Sequence, residues 1–111
     1  MIFISLFLRK NDLEMDVQPQ QIIEKLAASR PVLVKRYPIK RLALFGSYAR
    51  DEATPGSDID VLVEFSQPVG FQFFDLAQEL ERLLDHPVDL VSRNGIKPAY
   101  YAAIEPDLID V

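Results

Sequence analysis

Two aspartates, Asp58 and Asp60, carry the side chains in this sequence best suited to chemistry. They stand at the start of the apolar segment 59–65, Ile-Asp-Val-Leu-Val-Glu-Phe, which is typical of a buried strand. Because side chains alternate along a strand, both carboxylates project from the same face and repel each other. A divalent cation between them removes this repulsion, and Mg²⁺ accepts carboxylate oxygens. The alternative for such a pair alone is two solvent-facing strand residues.

A third aspartate, Asp89, lies within a second apolar segment, Val-Asp-Leu-Val at 88–91. If this strand pairs beside the strand of Asp58 and Asp60, three carboxylates meet on one face. Three inward carboxylates can hold two metal ions roughly 3.5–4 Å apart, which activates an attacking hydroxyl and steadies a leaving phosphate. The pattern therefore indicates phosphoryl or nucleotidyl transfer.

The segment 45–50, Phe-Gly-Ser-Tyr-Ala-Arg, offers a place for phosphates. Gly46 ends the apolar run 41–45, and Ser47 can cap a helix while its hydroxyl and the backbone N–H groups face an anion. We expect a triphosphate to rest here, a short turn away from metal on Asp58 and Asp60. The alternative is an ordinary strand-to-helix turn.

The elements that position these residues are predicted from apolar periodicity and from Pro and Gly. Pro31 is expected to interrupt or kink the first helical segment, and Pro87 is expected to end the third. The predicted helices cover 19–29, 32–37, 73–84 and 98–104, and the predicted strands cover about 40–45, 58–65, 88–91 and 108–111. This order predicts an α/β (α+β) fold, a small mixed β-sheet covered by helices.

Length and composition narrow the class of protein. A chain of 111 residues can bury one core, which excludes a multidomain enzyme with its own substrate domain. The absence of cysteine excludes disulfides, thiolate zinc sites and cysteine nucleophiles, and it favours a cytoplasmic location. The apolar run 1–8 is far shorter than the roughly 20 residues of a membrane helix, so no membrane partner is expected.

The first 15 residues are interpreted as an N-terminal extension, which a translation start misassigned upstream of Met15 would produce. Residues 16–111 are interpreted as a single domain. The alternative for residues 1–14 is a short edge strand.

Charge is distributed unevenly along the chain, whose net charge is −5. Residues 1–50 hold nine Lys and Arg against four Asp and Glu (+5), whereas residues 51–111 hold three against thirteen (−10). The acid-free stretch 25–50 predicts an electropositive face for phosphate, with a solvated helix surface as the alternative. The acidic total argues against direct binding of nucleic acid.

The spacing of these motifs resembles a known signature. Gly46-Ser47-Tyr48, nine further residues and Asp58-Ile59-Asp60 resemble the DNA polymerase beta superfamily of nucleotidyltransferases. Arg50, Ser57 and the segment 88–91 make the chain similar, from about residue 16 to its end, to the minimal nucleotidyltransferases (MNT family). The resemblance implies a polymerase-beta-like fold, two Mg²⁺ ions, ATP as donor, and transfer of AMP with release of pyrophosphate.

The resemblance also implies roles for individual residues. The triphosphate contacts would be Gly46, Ser47, Arg50 and Ser57, and the catalytic, metal-ligating carboxylates would be Asp58, Asp60 and Asp89. Asp89 would in addition orient or deprotonate the acceptor hydroxyl. Many relatives carry Gly where this chain has Asp51, and a carboxylate there would weaken ATP binding if it faced the triphosphate.

A partner follows from the same resemblance. MNT proteins are typically encoded beside a HEPN protein, in a toxin–antitoxin pair in which the HEPN partner is an RNase toxin and the MNT antitoxin places AMP on its tyrosine. The short chain leaves few residues for an acceptor pocket, which independently favours a macromolecular acceptor. The leading hypothesis is thus an ATP-dependent protein adenylyltransferase in a hetero-oligomer with a HEPN toxin.

Two alternative functions stay open at this point. One is an antitoxin that neutralises its partner by binding alone, with a vestigial or regulatory nucleotide site. The other is a nucleotidyltransferase that modifies a small molecule such as an aminoglycoside, which the short chain disfavours.

Several other side chains have two interpretations. Phe71 and Phe74 fall off the apolar stripe of their helix and suit either a docking patch or packing under the loop 66–72. Tyr100 and Tyr101 are similarly ambiguous, and at least one is expected in the core. The single histidine, His86, is interpreted as a turn residue and not as a catalytic base.

Overall fold

The computed structural model describes residues 18–111, which form a four-stranded sheet with helices on both faces. The helices are α1 (Pro19–Arg36), α2 (Gly46–Ala49), α3 (Gln72–Leu84) and α4 (Pro98–Ile104), and the strands are β1 (Ile39–Phe45), β2 (Ile59–Phe65), β3 (Val88–Ser92) and β4 (Ile109–Asp110). Short 3₁₀ turns follow β3 and α4. The predicted mixed fold is confirmed, and the proposed extension over residues 1–15 lies outside the described residues.

The sheet has the strand order β3-β2-β1-β4. β1 runs antiparallel to β2 and β4, whereas β2 and β3 are parallel. A parallel pair needs a crossover, which the chain makes through α3. The expectation that the strand of Asp89 pairs beside the strand of Asp60 is therefore met.

The main core lies between the sheet and the two long helices, α1 and α3. Alternate strand residues such as Leu44, Val61 and Val63 point towards it and are buried. From α3, Leu76, Leu80 and Leu84 fill the same core at helical spacing, as the stripe over 73–84 predicts.

The opposite face of the sheet has a smaller core, covered by α4. Phe45 and Leu62 are buried there, against Tyr101 and Ile104 among others. Asp60 shares the side of β2 on which Leu62 lies, because the two residues are two positions apart. The candidate carboxylates therefore belong to the α4 face of the sheet, and not to the main core.

The break expected at Pro31 is absent, because α1 continues through this proline to Arg36. A proline inside a helix removes one backbone hydrogen bond and costs about 3 kcal/mol. The buried residues Ile22, Leu26 and Leu33 lie on both sides of the proline, whereas Pro31 is exposed. Burial of one continuous apolar stripe therefore outweighs the local preference, and the two predicted helices are one.

The end of α3 is set by a residue that the prediction did not consider. Asp85 has φ 51° and ends the helix in the left-handed conformation, two residues before Pro87. The predicted short helix over 98–104 is confirmed, and the terminal strand is shorter than the predicted 108–111. No helix among residues 18–111 combines the length and the apolar character needed to cross a membrane.

Candidate active site

Asp60 and Asp89 lie side by side at one end of the parallel strand pair, and Asp58 directly precedes β2 at the same end. Asp60 of β2 is the register partner of Asp89 of β3. Residues opposite each other in neighbouring strands share a face, so both carboxylates project from the α4 side of the sheet. Asp58 precedes β2 and is exposed, as is Asp89, whereas Asp60 is half-buried. The sheet thus brings together the acids that the chain separates by about 30 positions, as expected for strands joined by a helical crossover.

Gly46 lies directly against the carboxylate of Asp60. Phe45, the last residue of β1, is the register partner of Asp60, so α2 begins beside that side chain. Gly46 has φ +76°, and a Cβ there would lie 2.0 Å from Oδ2 of Asp60. Both the backbone conformation and this close approach require glycine. The Gly-Ser-Tyr segment and the Asp-x-Asp segment are therefore in direct contact.

The electrostatics of this site disfavour a charged Asp60. Burial in the first place, and then the negative charges of Asp89 and Asp58, raise the pKa of the Asp60 carboxyl to about 6, while the charge of Arg50 acts in the opposite direction. The repulsion among the three acids is the electrostatic situation that a divalent cation relieves.

The donor set suits a hard cation such as Mg²⁺, because it consists of carboxylate oxygens only. As the side chains stand, however, no group of three or more His, Asp or Glu residues in the part of the chain from residue 18 onwards is close enough together to hold a metal ion. The pairing of Asp60 with Asp89 in the sheet, together with the raised pKa of Asp60, supports the fit of these carboxylates to a divalent cation. The complete three-carboxylate ligand set stays a prediction.

Ser47 and Arg50, two further predicted triphosphate contacts, lie in α2 and at the end of α2, respectively. α2 begins at Gly46, so Ser47 is inside its first turn and does not cap it. Arg50 ends α2 and pairs with Glu52 and Asp107, whose Oδ2 is 2.7 Å from Nη1 of the arginine. These two hydrogen bonds raise the pKa of Arg50. A triphosphate that Arg50 contacts would therefore have to compete with two carboxylates.

Ser57, the fourth predicted nucleotide contact, uses its hydroxyl within the loop before β2. The backbone N–H of Thr54 donates to Oγ of Ser57 at 2.9 Å. The same loop contains Asp51, whose φ of 59° lies in the left-handed region that favours glycine. This φ value explains why a glycine suits position 51, and an effect of the Asp51 carboxylate on ATP binding stays a prediction.

His86 was interpreted as a turn residue, and the structure adds contacts that the sequence did not suggest. Its Nε2 lies 2.9 Å from the carbonyl oxygen of Ser57 and 3.1 Å from the hydroxyl of Tyr48. Tyr48 is only 2% exposed, and its ring meets the imidazole edge to face at 5.6 Å. A histidine just before a strand gives no signal of partners 29 and 38 positions away, so sequence reasoning missed this contact.

The ambiguous aromatic residues fall into two groups. Phe71 is 85% exposed and Phe74 is 62% exposed, so the interpretation that they pack under the loop 66–72 is wrong. Tyr101 packs in the smaller core, where the guanidinium of Arg93 lies 3.9 Å from its ring centroid. Tyr100 is 46% exposed, so one of the two tyrosines fills the core, as expected.

A cavity of about 420 Å³ lies at the other end of the parallel strand pair, away from the carboxylates. Phe65 and Ser92, the last residues of β2 and β3, line it together with Asn94. The side chain of Asn94 accepts a hydrogen bond from the backbone N–H of Phe65 at 3.1 Å. None of the predicted site residues lines this cavity.

Comparison with known proteins adds to this geometry. Residues 26–110 match the family described as the nucleotidyltransferase domain. A candidate protein adenylyltransferase of Methanocaldococcus jannaschii is 45% identical over 93 residues, which cover 82% of this chain and 95% of the relative.

Solved structures share the fold. A candidate minimal nucleotidyltransferase is 30% identical with a TM-score of 0.74, over 86% of this chain and 98% of that one. A complex of a tri-AMPylated Shewanella oneidensis HEPN toxin with its MNT antitoxin contains a chain that is 25% identical with a TM-score of 0.54, over 83% of this chain and 66% of that one.

Proposed function

We propose, from the premise that this chain belongs to the nucleotidyltransferase family, that it transfers AMP from ATP to a hydroxyl group of a partner protein. Its membership confirms the resemblance drawn from the Gly-Ser-Tyr and Asp-x-Asp motifs. The observation that carries the proposal is the pairing of Asp60 with Asp89, with Gly46 against the Asp60 carboxylate. This geometry puts the phosphate motif next to paired acids, as nucleotidyl transfer requires.

The proposed reaction assigns a role to each of the candidate site residues. The acceptor oxygen forms a bond to the α-phosphorus of ATP, while the bond from that phosphorus to the pyrophosphate oxygen breaks and pyrophosphate leaves with the electron pair. Asp89, which is exposed beside Asp60, accepts the proton of the acceptor hydroxyl. Backbone groups at Gly46 and Ser47 orient the triphosphate, and Arg50 contacts it.

Two Mg²⁺ ions would be held by Asp58, Asp60 and Asp89. When bound, Mg²⁺ supplies charge stabilisation for the attacking and leaving oxygens. Without a cation, the three acids repel both each other and a triphosphate, as the raised pKa of Asp60 reflects. Three carboxylates next to a triphosphate therefore require a cation that offsets the repulsion among these negative charges.

The acceptor in this proposal is a tyrosine of a HEPN-type RNase toxin, which the chain neutralises as an antitoxin. Support comes from the related chain in complex with a tri-AMPylated HEPN toxin and from the relative described as a candidate protein adenylyltransferase. The exposed position of Asp58 and Asp89 also supports it, because an open site can receive a side chain from another protein.

The test is the intact mass of the co-purifying partner after incubation with this protein, ATP and Mg²⁺. We expect mass increments of one or more AMP groups. The double variant Asp58→Asn, Asp60→Asn should reduce the rate at least about 100-fold, because changes to outer-shell residues of metal sites alone cost about 10–100-fold. A control, Glu24→Gln with Glu105→Gln, removes two exposed negative charges elsewhere and should leave the rate unchanged.

The binding-only alternative gives a different result. If the partner binds and is neutralised without any change of mass, and the double variant neutralises it equally well, the proposed transfer is refuted. Modification of a small molecule by the purified chain alone would instead favour the aminoglycoside type of reaction.

A further inference from the structure

His86 connects three segments of the chain that carry candidate site residues. Its Nε2 contacts the carbonyl oxygen of Ser57 at 2.9 Å and the hydroxyl of Tyr48 at 3.1 Å. Tyr48 directly follows Ser47, Ser57 directly precedes Asp58, and β3 with Asp89 begins two residues after His86. One imidazole therefore bridges the triphosphate segment, the segment of Asp58 and the segment of Asp89.

The contact with Ser57 determines which group donates. A carbonyl oxygen only accepts, so Nε2 of His86 must carry a hydrogen and donate it to Ser57. The Tyr48 hydroxyl then lies close to the same N–H and can accept from it. Tyr48 itself is buried in the main core, which makes it a rigid support for the imidazole.

The two residues that flank Asp58, Ser57 and Ile59, each make a hydrogen bond to the dipeptide His86-Pro87. His86 donates to the carbonyl of Ser57, and the carbonyl of Pro87 accepts from the backbone N–H of Ile59 at 2.9 Å. Asp58 lies between these two anchor points, just before β2 begins. The Pro87 contact is the first step of the β2–β3 pairing, whereas the His86 contact reaches back into the loop before the strand.

We infer that His86 is a positioning residue for the cation site. Its Nε2–H holds the backbone of Ser57 and thereby directs the Asp58 carboxylate towards Asp60 and Asp89. This inference rests on the proposed function, because it assigns His86 a purpose only if Asp58 is a ligand. His86 touches neither the nucleotide nor the cation, and it transfers no proton.

The test compares two substitutions at position 86. His86→Phe keeps a ring of similar size beside Tyr48 and removes the N–H, whereas His86→Gln places an amide N–H close to the position of Nε2. Binding of Mn²⁺ in the presence of ATP is measured by electron paramagnetic resonance, and KM for ATP and kcat are measured by transfer to the partner. Thermal unfolding of each variant reports on the fold.

The expected result is a weaker affinity for Mn²⁺ and a higher KM in His86→Phe, by about tenfold, in line with outer-shell residues at metal sites. His86→Gln should restore most of the affinity at a similar thermal midpoint. Unchanged Mn²⁺ affinity in His86→Phe would overturn the inference, as would equal losses in both variants, because His86→Gln retains a donor hydrogen and His86→Phe does not.

Failure of the inference about His86 and failure of the proposed function give different experimental results. If the unsubstituted protein neither binds Mn²⁺ with ATP nor modifies its partner, the proposed function fails. If it does both and His86→Phe behaves like it, only the role of His86 is wrong.

Discussion

Gly46 is the residue on which the candidate site depends most directly. It combines a positive φ with a backbone so close to Asp60 that any side chain would meet the carboxylate. A non-glycine residue in the left-handed region costs about 1–2 kcal/mol before any clash is counted. The glycine of the Gly-Ser motif therefore serves both the turn into α2 and the position of Asp60.

We predict that Gly46→Ala lowers the free energy of unfolding by about 2 kcal/mol and impairs cation-dependent nucleotide binding, because the Asp60 carboxylate must move. Urea unfolding measures the first effect, and ATP binding with Mg²⁺ measures the second. In the double variant Gly46→Ala, Asp60→Ala the carboxylate that the alanine Cβ would meet is absent, so Gly46→Ala should cost less stability in the Asp60→Ala protein than in the original protein.

Gly56→Ala is the matched control, since a Cβ at Gly56 meets nothing within 4 Å and its φ is not positive. Its stability should stay within about 0.5 kcal/mol of the original protein. Equal effects of the two substitutions would contradict the assigned role of Gly46.

At the scale of elements, α1 shows how packing overrides a local preference. Pro31 is exposed, and the buried residues Leu26 and Leu33 on either side of it anchor the helix to the core. The N–H that Pro31 lacks stays missing in the folded protein, so one hydrogen bond of the helix is not made. The helix is continuous but locally weaker than its length suggests.

We predict that Pro31→Ala stabilises the protein by about 1–3 kcal/mol, because alanine restores the backbone donor and has a higher helix propensity. Chemical denaturation monitored by circular dichroism measures the change. Lys35→Ala, at another exposed position of α1, should change stability by less than about 0.5 kcal/mol. A Pro31→Ala protein no more stable than Lys35→Ala would refute this account of α1.

Across the whole molecule, ion pairs bring basic residues of the first half of the chain next to acids of the second half. The ion pairs of the described residues join a basic residue of the first half to an acid of the second half: Arg36 with Glu79, Lys40 with Glu64, Arg41 with Asp110, and Arg50 with Glu52 and Asp107. Exposed pairs of this kind contribute little to stability, because water and salt screen the charges. Four basic residues of the expected electropositive face are therefore paired with acids, and Arg50, whose charge acts on Asp60, is one of these four.

The exposed pair Phe71 and Phe74 concerns how the protein would bind a partner. Phe71 and Phe74 follow the end of β2, whereas Asp60 lies five residues earlier in that strand, roughly 16 Å away along it. Because α3 packs on the main core whereas the carboxylates lie on the α4 face, a partner that contacts both the aromatic pair and the carboxylates must extend from one face of the sheet to the other. An extended protein surface can do this, and a small molecule cannot.

We predict that Phe71→Ser with Phe74→Ser weakens binding of the partner at least about tenfold, since exposed aromatics are frequent anchors of interfaces. Titration calorimetry with the purified partner measures the affinity, and binding of ATP by the isolated chain should not change. Val32→Ser removes another exposed apolar side chain on α1 and serves as the control. Unaltered affinity of the phenylalanine variant would place the interface elsewhere.

The sequence by itself determined the features that depend on local pattern. The apolar runs of β1, β2 and β3 and the stripe of α3 indicated their elements to within a residue or two. The spacing from Gly46 to Asp60 was sufficient to identify the family, because two motifs at a defined separation rarely coincide by chance.

Only the tertiary structure decided what depends on residues distant in the chain. It continued α1 through Pro31, because the stability of that helix comes from burial against the sheet. It placed Asp89 opposite Asp60 and the backbone of Gly46 against the same carboxylate. It also brought His86 to Ser57 and paired Arg50 with Asp107. Such contacts join side chains through space, and no local pattern of residue types encodes their partners.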